Sequence, residues 1–128
     1  MDQMARVSRE ARAGLYGGGG DPDGAGRMLS SLVGAALSVE PAAFAKPGRG
    51  AARISYARQV ALYLAHTTLG LNYTEAGRLF GRDRSTAAHA CRRIEDRREA
   101  RRVDELVDRL ERATRASIVG ASGRGRTS

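Results

Sequence analysis

Apolar residues recur at helical spacing in successive stretches of this chain, and nowhere do they alternate in the period of two that marks a half-buried strand. Met28, Leu29, Leu32, Val33, Ala36 and Leu37 outline a first helix. Val39 and residues 41–44 then read as a turn or one short helical turn, with Phe44 placed to plug a core. Between positions 56 and 69 a second helix buries Val60, Ala61, Leu64 and Leu69. Val103, Leu106, Val107 and Leu110 define a last amphipathic helix with acidic and basic neighbours on its wet side. There is no internal repeat. The pattern predicts an all-α protein.

Between those elements lies the densest local signal, residues 72–98, reading NYTEAGRLFGRDRSTAAHACRRIEDRR. Asn72 stands as a helix cap, and Glu75, three positions on, is placed to reach back to the cap's amide, just before Ala76, Leu79 and Phe80. Gly81 ends that helix. Asp83 occupies a second N-cap position, and Ala87, Ala90, Cys91 and Ile94 follow at i, i+3, i+4 and i+7 as a stripe of mostly small residues that permits close helix contact. The opposite face carries Arg84, Ser85, Ala88, His89, Arg92 and Arg93, guanidinium and short polar groups suited to phosphates or a groove floor.

Two helices around a glycine turn make a helix-turn-helix, whose second helix reads bases with its first residues. The expected base readers are therefore Arg82, Asp83, Arg84, Ser85 and Thr86. The bland alternative is a solvated arginine face on an ordinary bundle helix. Asp83 stays open between capping the helix and reading a base, or doing both.

Composition agrees with a polyanion partner. The net charge is +8 and the pI about 10.9, and all but one of the 22 basic residues are Arg, the exception being Lys46. Arginine excess beside abundant Ala and Gly is also what a compositionally biased genome produces, so the positive charge is the firmer argument. A length of 128 residues suits one domain, and with no Trp and two Phe its core must be Ala, Leu and Val. The single cysteine, Cys91, fits a reducing cytoplasm and falls in the apolar stripe, as a small core residue does. No stretch reaches the length of a membrane span, and the first residues lack a signal peptide's apolar centre.

Glycines 17–20 and the following DPDGAG divide a flexible segment, residues 1–25, from a domain expected over 26–118, and residues 119–128 read as a disordered tail. KPGRGAAR, residues 46–53, is a basic, glycine-bearing loop. No GxxxxGK[ST] phosphate loop occurs, and two histidines, one cysteine and scattered carboxylates give neither metal-ligand spacing nor a nucleophile–base pair. The chain reads as a non-enzyme without cofactor or metal.

The run RQVALYLAHTTLGLNYTEAGRLFGRDRSTAAHACRRIE resembles the C-terminal DNA-binding domain, the fourth domain, of the bacterial replication initiator DnaA. The matching residues are Arg58 with Gln59, then Gly81, Arg82 and Asp83, then His89 to Ile94, and the likeness extends from about Met28 to Leu110. The resemblance implies a small helical bundle (DnaA domain IV-like, TrpR-like) in which Asp83, Arg84, Ser85 and Thr86 meet base edges. It further implies that Arg58, Gln59 and His66 face phosphates and that His89 lies near the backbone or groove edge. Arg92 and Arg93 are expected at the backbone, and Arg49 or Arg53 would enter the minor groove from the basic loop. Two departures stand out: Arg84 replaces the family's usual His, and the turn is one glycine shorter. A guanidinium prefers the paired acceptors of guanine over a thymine methyl, so the target should differ from the initiator's box.

The expected function is sequence-specific binding of double-stranded DNA, regulating transcription or replication initiation without ATPase activity, in the cytoplasm on the nucleoid. A protein partner such as RNA polymerase or the replication initiator, and a monomeric or weakly dimeric state, complete the expectation. The competing readings are nonspecific coating of nucleic acid and a helical module that pairs with a partner through residues 103–110.

Overall fold

The computed structural model describes residues 22–48 and 50–127. Among the described residues, five α-helices and one short 3₁₀ turn succeed one another: α1 Pro22–Leu37, the 3₁₀ turn Pro41–Ala45, α2 Ala52–Thr67, α3 Tyr73–Leu79, α4 Arg84–Arg97 and α5 Arg101–Thr127. The described residues contain no strand.

α1 starts before the expected Gly26, because Pro22 sits at the first helical position, where its fixed φ and missing N–H cost nothing. It ends at Ser38, a non-glycine residue at φ 58°, which lets the Val39 amide donate to the Gly34 carbonyl at 2.9 Å. The chain then dips inward. Phe44 is fully buried and meets the ring of Phe80 at 6.1 Å between centroids, so the end of α3 and the 3₁₀ turn share one aromatic contact. Burying a side chain of that size contributes about 1.5–3 kcal/mol.

α2 and α4 make the most extensive contact among the described elements. Both offer small residues to it. Ala57, Ala61 and Ala65 are buried on α2, and Ala87, Ala90 and Cys91 on α4. The Cys91 thiol donates a weak bond to the Leu62 carbonyl at 3.8 Å, and burial pushes its pKa up to about 12, so it packs as a neutral group. Leu29 and Val33 from α1, Val60 and Leu64 from α2, and Ile94 from α4 complete a centre that excludes water.

α5 closes this core with Val107 and Leu110, and with Thr114, whose hydroxyl donates to the Leu110 carbonyl at 2.7 Å. The face expected either to close the domain or to recruit a partner is thus occupied by its own domain. The helix also continues to Thr127, through residues expected to form a tail. Propagating an existing helix adds one hydrogen bond per residue fixed, and no proline interrupts the sequence after Pro47.

Candidate nucleic-acid interface

The turn between α3 and α4 is set by local chemistry. Asn72 Oδ1 accepts from the Glu75 amide at 2.8 Å and Glu75 Oε1 accepts from the Asn72 amide at 2.9 Å, a complete capping box. The chain then folds back so tightly that the Arg82 amide donates to the Gly77 carbonyl at 2.8 Å. A Cβ on Gly77 would stand 2.4 Å from the Arg82 carbonyl oxygen, so only glycine permits this approach. Gly81, at φ 66°, supplies the left-handed step that redirects the backbone.

Asp83 caps α4. Its Oδ1 accepts from the Thr86 amide at 2.8 Å, and this backbone bond, followed by one from the Thr86 side chain, holds the carboxyl below its usual range. From this start α4 presents Arg84, Ser85, Thr86, His89, Arg92 and Arg93 as exposed side chains, while Ala87, Ala90, Cys91 and Ile94 face inward. Ala88, expected on the wet face, is buried as well.

An open groove of about 1090 Å³ runs alongside. One wall is α4, with Ser85, Thr86, His89 and Arg93; the other is the basic loop and the first turns of α2, with Gly48, Ser55 and Gln59. Helix start, loop and Gln59 therefore share one side of the molecule. Arg53 is exposed at the head of α2, and Arg49 lies outside the described residues.

Three expected contact residues have other duties. Arg82, expected to read bases, donates Nη2 to the carbonyls of Lys46 at 2.8 Å and Gly48 at 2.9 Å, and Nη1 to those of Phe80 at 3.0 Å and Gly81 at 3.3 Å. Its planar fork pins the basic loop to the helix-turn-helix. Arg58, expected at a phosphate, is only 5% exposed and donates Nε to Phe44 O at 2.8 Å and Nη2 to Ala43 O at 3.3 Å. Burial, then the nearby Arg82 charge, lower its pKa. It ties α2 to the last carbonyls of the 3₁₀ turn, which need donors.

His66, expected to face phosphate, lies half-buried with Nδ1 2.8 Å from the Leu71 carbonyl. A carbonyl only accepts, so Nδ1 carries the proton. The imidazole stacks on Tyr73 at 4.4 Å between centroids, and Arg84 lies over that same tyrosine ring at 5.9 Å.

The tyrosines were missed by sequence reasoning. Tyr56 lines the groove beneath the guanidinium of Arg97, at 5.2 Å. At the far end of α4, Tyr63 donates to Glu95 Oε2 at 2.7 Å, and Arg98 donates to Tyr63 Oη at 3.2 Å, Asp104 Oδ1 at 2.7 Å and Glu111 Oε1 at 3.4 Å. Burial opposes the Arg98 charge, but the bonds to Asp104 and Tyr63 outweigh it and raise its pKa. The described residues contain no metal-binding cluster of His, Cys, Asp or Glu, and no helix among them is long and apolar enough to cross a membrane.

Comparison with known proteins matches residues 28–94, more than half of the chain, to the family described as the bacterial dnaA protein helix-turn-helix. The match ends inside α4, short of the Leu110 reached by the resemblance seen in the sequence. Over 63 residues, 45% of the chain, it is 36% identical to the chromosomal replication initiator protein DnaA of Caldanaerobacter subterraneus subsp. tengcongensis, spanning 14% of that protein. Over 45 residues, 35% of the chain, it is 47% identical to the protein of the same name from Tropheryma whipplei strain Twist, spanning 9% of it. The matched stretches are thus a small part of these relatives' lengths.

Proposed function

Because the chain belongs to the bacterial dnaA protein helix-turn-helix family, we propose that it binds double-stranded DNA sequence-specifically and regulates replication initiation or transcription without ATPase activity of its own. The observation that carries this reading is the open start of α4: Arg84, Ser85 and Thr86 are exposed together beside a basic loop and groove. A major groove of about 12 Å accepts a helix, and a bidentate arginine there selects guanine. Arg84 is the first base reader, with Ser85 and Thr86 behind it. Asp83 acts through its cap, fixing the pitch at which the helix enters.

Backbone contacts come from Arg53, Gln59, His89, Arg92 and Arg93, of which Gln59, His89 and Arg93 line the groove. Such contacts fix register and carry no sequence information. The loop held by Arg82 reaches the adjoining minor groove in this reading, with Arg49 or Arg53 as the inserted side chain. Arg82 and Arg58 contribute by holding that loop and α2 in place. Arg84, standing where the family usually has His, directs the chain to diverged sites rather than the initiator's box. One copy reads one asymmetric site, on the nucleoid. The consequence of occupancy, blocking the initiator or presenting a partner such as RNA polymerase, depends on where the sites lie.

The test is selection from a random duplex library, followed by competition against unrelated duplex. The expected result is a single motif bound about 10³-fold or more tightly than unrelated DNA, the lower end for specific recognition. Binding that ignores sequence would replace this reading with nonspecific coating. Genome-wide occupancy then separates replication control, with sites at an origin, from transcriptional control, with sites at promoters.

A further inference from the structure

The stack at the head of α4 is absorbed by neither the capping scheme nor the phosphate contacts. His66, Tyr73 and Arg84 come from three helices, α2, α3 and α4, and meet at one ring: the imidazole stacks on the Tyr73 phenol at 4.4 Å and 28°, and the Arg84 guanidinium lies over the same ring at 5.9 Å. The imidazole is itself fixed by the bond from His66 Nδ1 to Leu71 O at 2.8 Å. Tyr73 is half-buried and packs against the core, whereas Arg84 is exposed. A rigid ring therefore supports a long side chain that has many rotamers in water.

We infer that Tyr73 is a positioning residue for Arg84, setting the base preference of this chain by holding the guanidinium over an aromatic platform before DNA arrives. The inference rests on the reading that Arg84 contacts a base. An unsupported arginine loses rotamer freedom when it docks, and that loss subtracts from discrimination. A cation–π contact removes part of the loss in advance, and it leaves the edges of the guanidinium plane free to donate to the two acceptors of guanine. His66 sets the plane of the ring, which is a more specific duty than phosphate contact. The stack also explains how a guanidinium is accommodated at the start of a helix, where the macrodipole disfavours cations.

The test starts from the duplex selected by the wild-type chain and replaces, one at a time, each base pair of its motif. Arg84→Ala should abolish the preference at one G·C pair. Tyr73→Leu, which keeps apolar bulk, should weaken preference at that same pair by about 2- to 5-fold, the range of an exposed cation–π contact, with affinity for unrelated duplex unchanged. Tyr73→Phe, which keeps the ring, should retain wild-type preference. If Arg84→Ala alters the motif but Tyr73→Leu does not, or if Tyr73→Leu weakens all duplexes equally, Tyr73 is no positioning residue and the base-reading role of Arg84 stands. If Arg84→Ala leaves the motif unchanged, the reading beneath the inference fails. A measurement on the unaltered protein settles the matter should Tyr73→Leu not fold: the Arg84 side-chain protons should show upfield ring-current shifts in the free chain, and random-coil shifts would overturn the stack.

Discussion

The two ends of α4 carry neighbouring kinds of residue and opposite arrangements. At its start, Arg84, Ser85 and Thr86 are exposed, and Asp83 caps the helix through the Thr86 amide. Beyond its last turn, Arg98 is held by Tyr63, Asp104 and Glu111, from α2 and α5. An arginine in this chain is thus defined by what surrounds it rather than by its charge. Arg58, Arg82 and Arg98 satisfy carbonyls and carboxylates and hold the scaffold, while Arg84, Arg92 and Arg93 are exposed, Arg84 resting over the ring of Tyr73. One end of α4 is fastened so that the other is presented at a fixed angle.

The largest expected effect tests the open side as a whole. With about five phosphates neutralised there, the slope of log affinity against log salt should be near −4.5, a several-hundred-fold loss between 50 and 200 mM salt. Binding to the selected duplex by fluorescence anisotropy at graded salt gives the slope directly. A slope close to zero would mean that the exposed arginines do not meet the backbone.

The held arginines come next. Arg58→Ala should cost about 2–3 kcal/mol of stability in denaturant melts, because charge-assisted bonds to two carbonyls of the 3₁₀ turn are lost from a buried site. Arg98→Ala should cost about 1.5–3 kcal/mol, nearer the lower figure since Asp104 is half exposed to water. In both, folded protein should keep the wild-type motif. A changed motif with Arg98→Ala would show that the two ends of α4 are not separable.

Arg84→Ala should do the reverse. Discrimination at its base pair should fall by about 1–3 kcal/mol, measured by competition between matched and mismatched duplexes. Stability should move by no more than about 0.5 kcal/mol, as for other exposed substitutions. A large loss of stability would place Arg84 among the scaffold arginines.

This division was only partly legible in the sequence. The Asn72–Glu75 box, the Asp83 cap and the inward Ala87, Ala90, Cys91 and Ile94 all arise from spacings of three to seven residues, and the structure has each of them. Phe44 as a core plug was legible too, since an isolated aromatic in a small apolar core has few places to go. The roles of Arg58 and Arg82 were not. Their distant partners lie 14, 15, 34 and 36 residues away and are backbone carbonyls, which any sequence supplies and no side-chain pattern marks. A guanidinium suits carbonyl and phosphate oxygens equally, so residue type leaves the choice to tertiary structure. Tyr63 and Tyr73 escaped for a related reason: in a helical pattern each reads as one more apolar position, and the polar or cationic partner sits on another helix.

The smallest effect titrates the fastened end alone. Burial, and next the bond donated to Glu95, push the Tyr63 phenol up to about 12, above the ordinary value of 10.0. A pKa raised on folding means that the unfolded chain gives up this proton first. The contribution is therefore complete below about pH 10 and is lost as pH climbs through about 12. Arg98 stays charged across that window, so the loss tracks the phenol. Urea melts in small steps upward from about pH 9 should show stability falling faster in the wild type than in Tyr63→Phe, which has no proton there to release. The variant begins lower at neutral pH, having lost the bonds to Glu95 and Arg98, and the two curves should converge as the phenol ionises. Parallel curves would mean that Tyr63 titrates as it does in the unfolded chain, and that α4 is fastened by Asp104 and Glu111 alone.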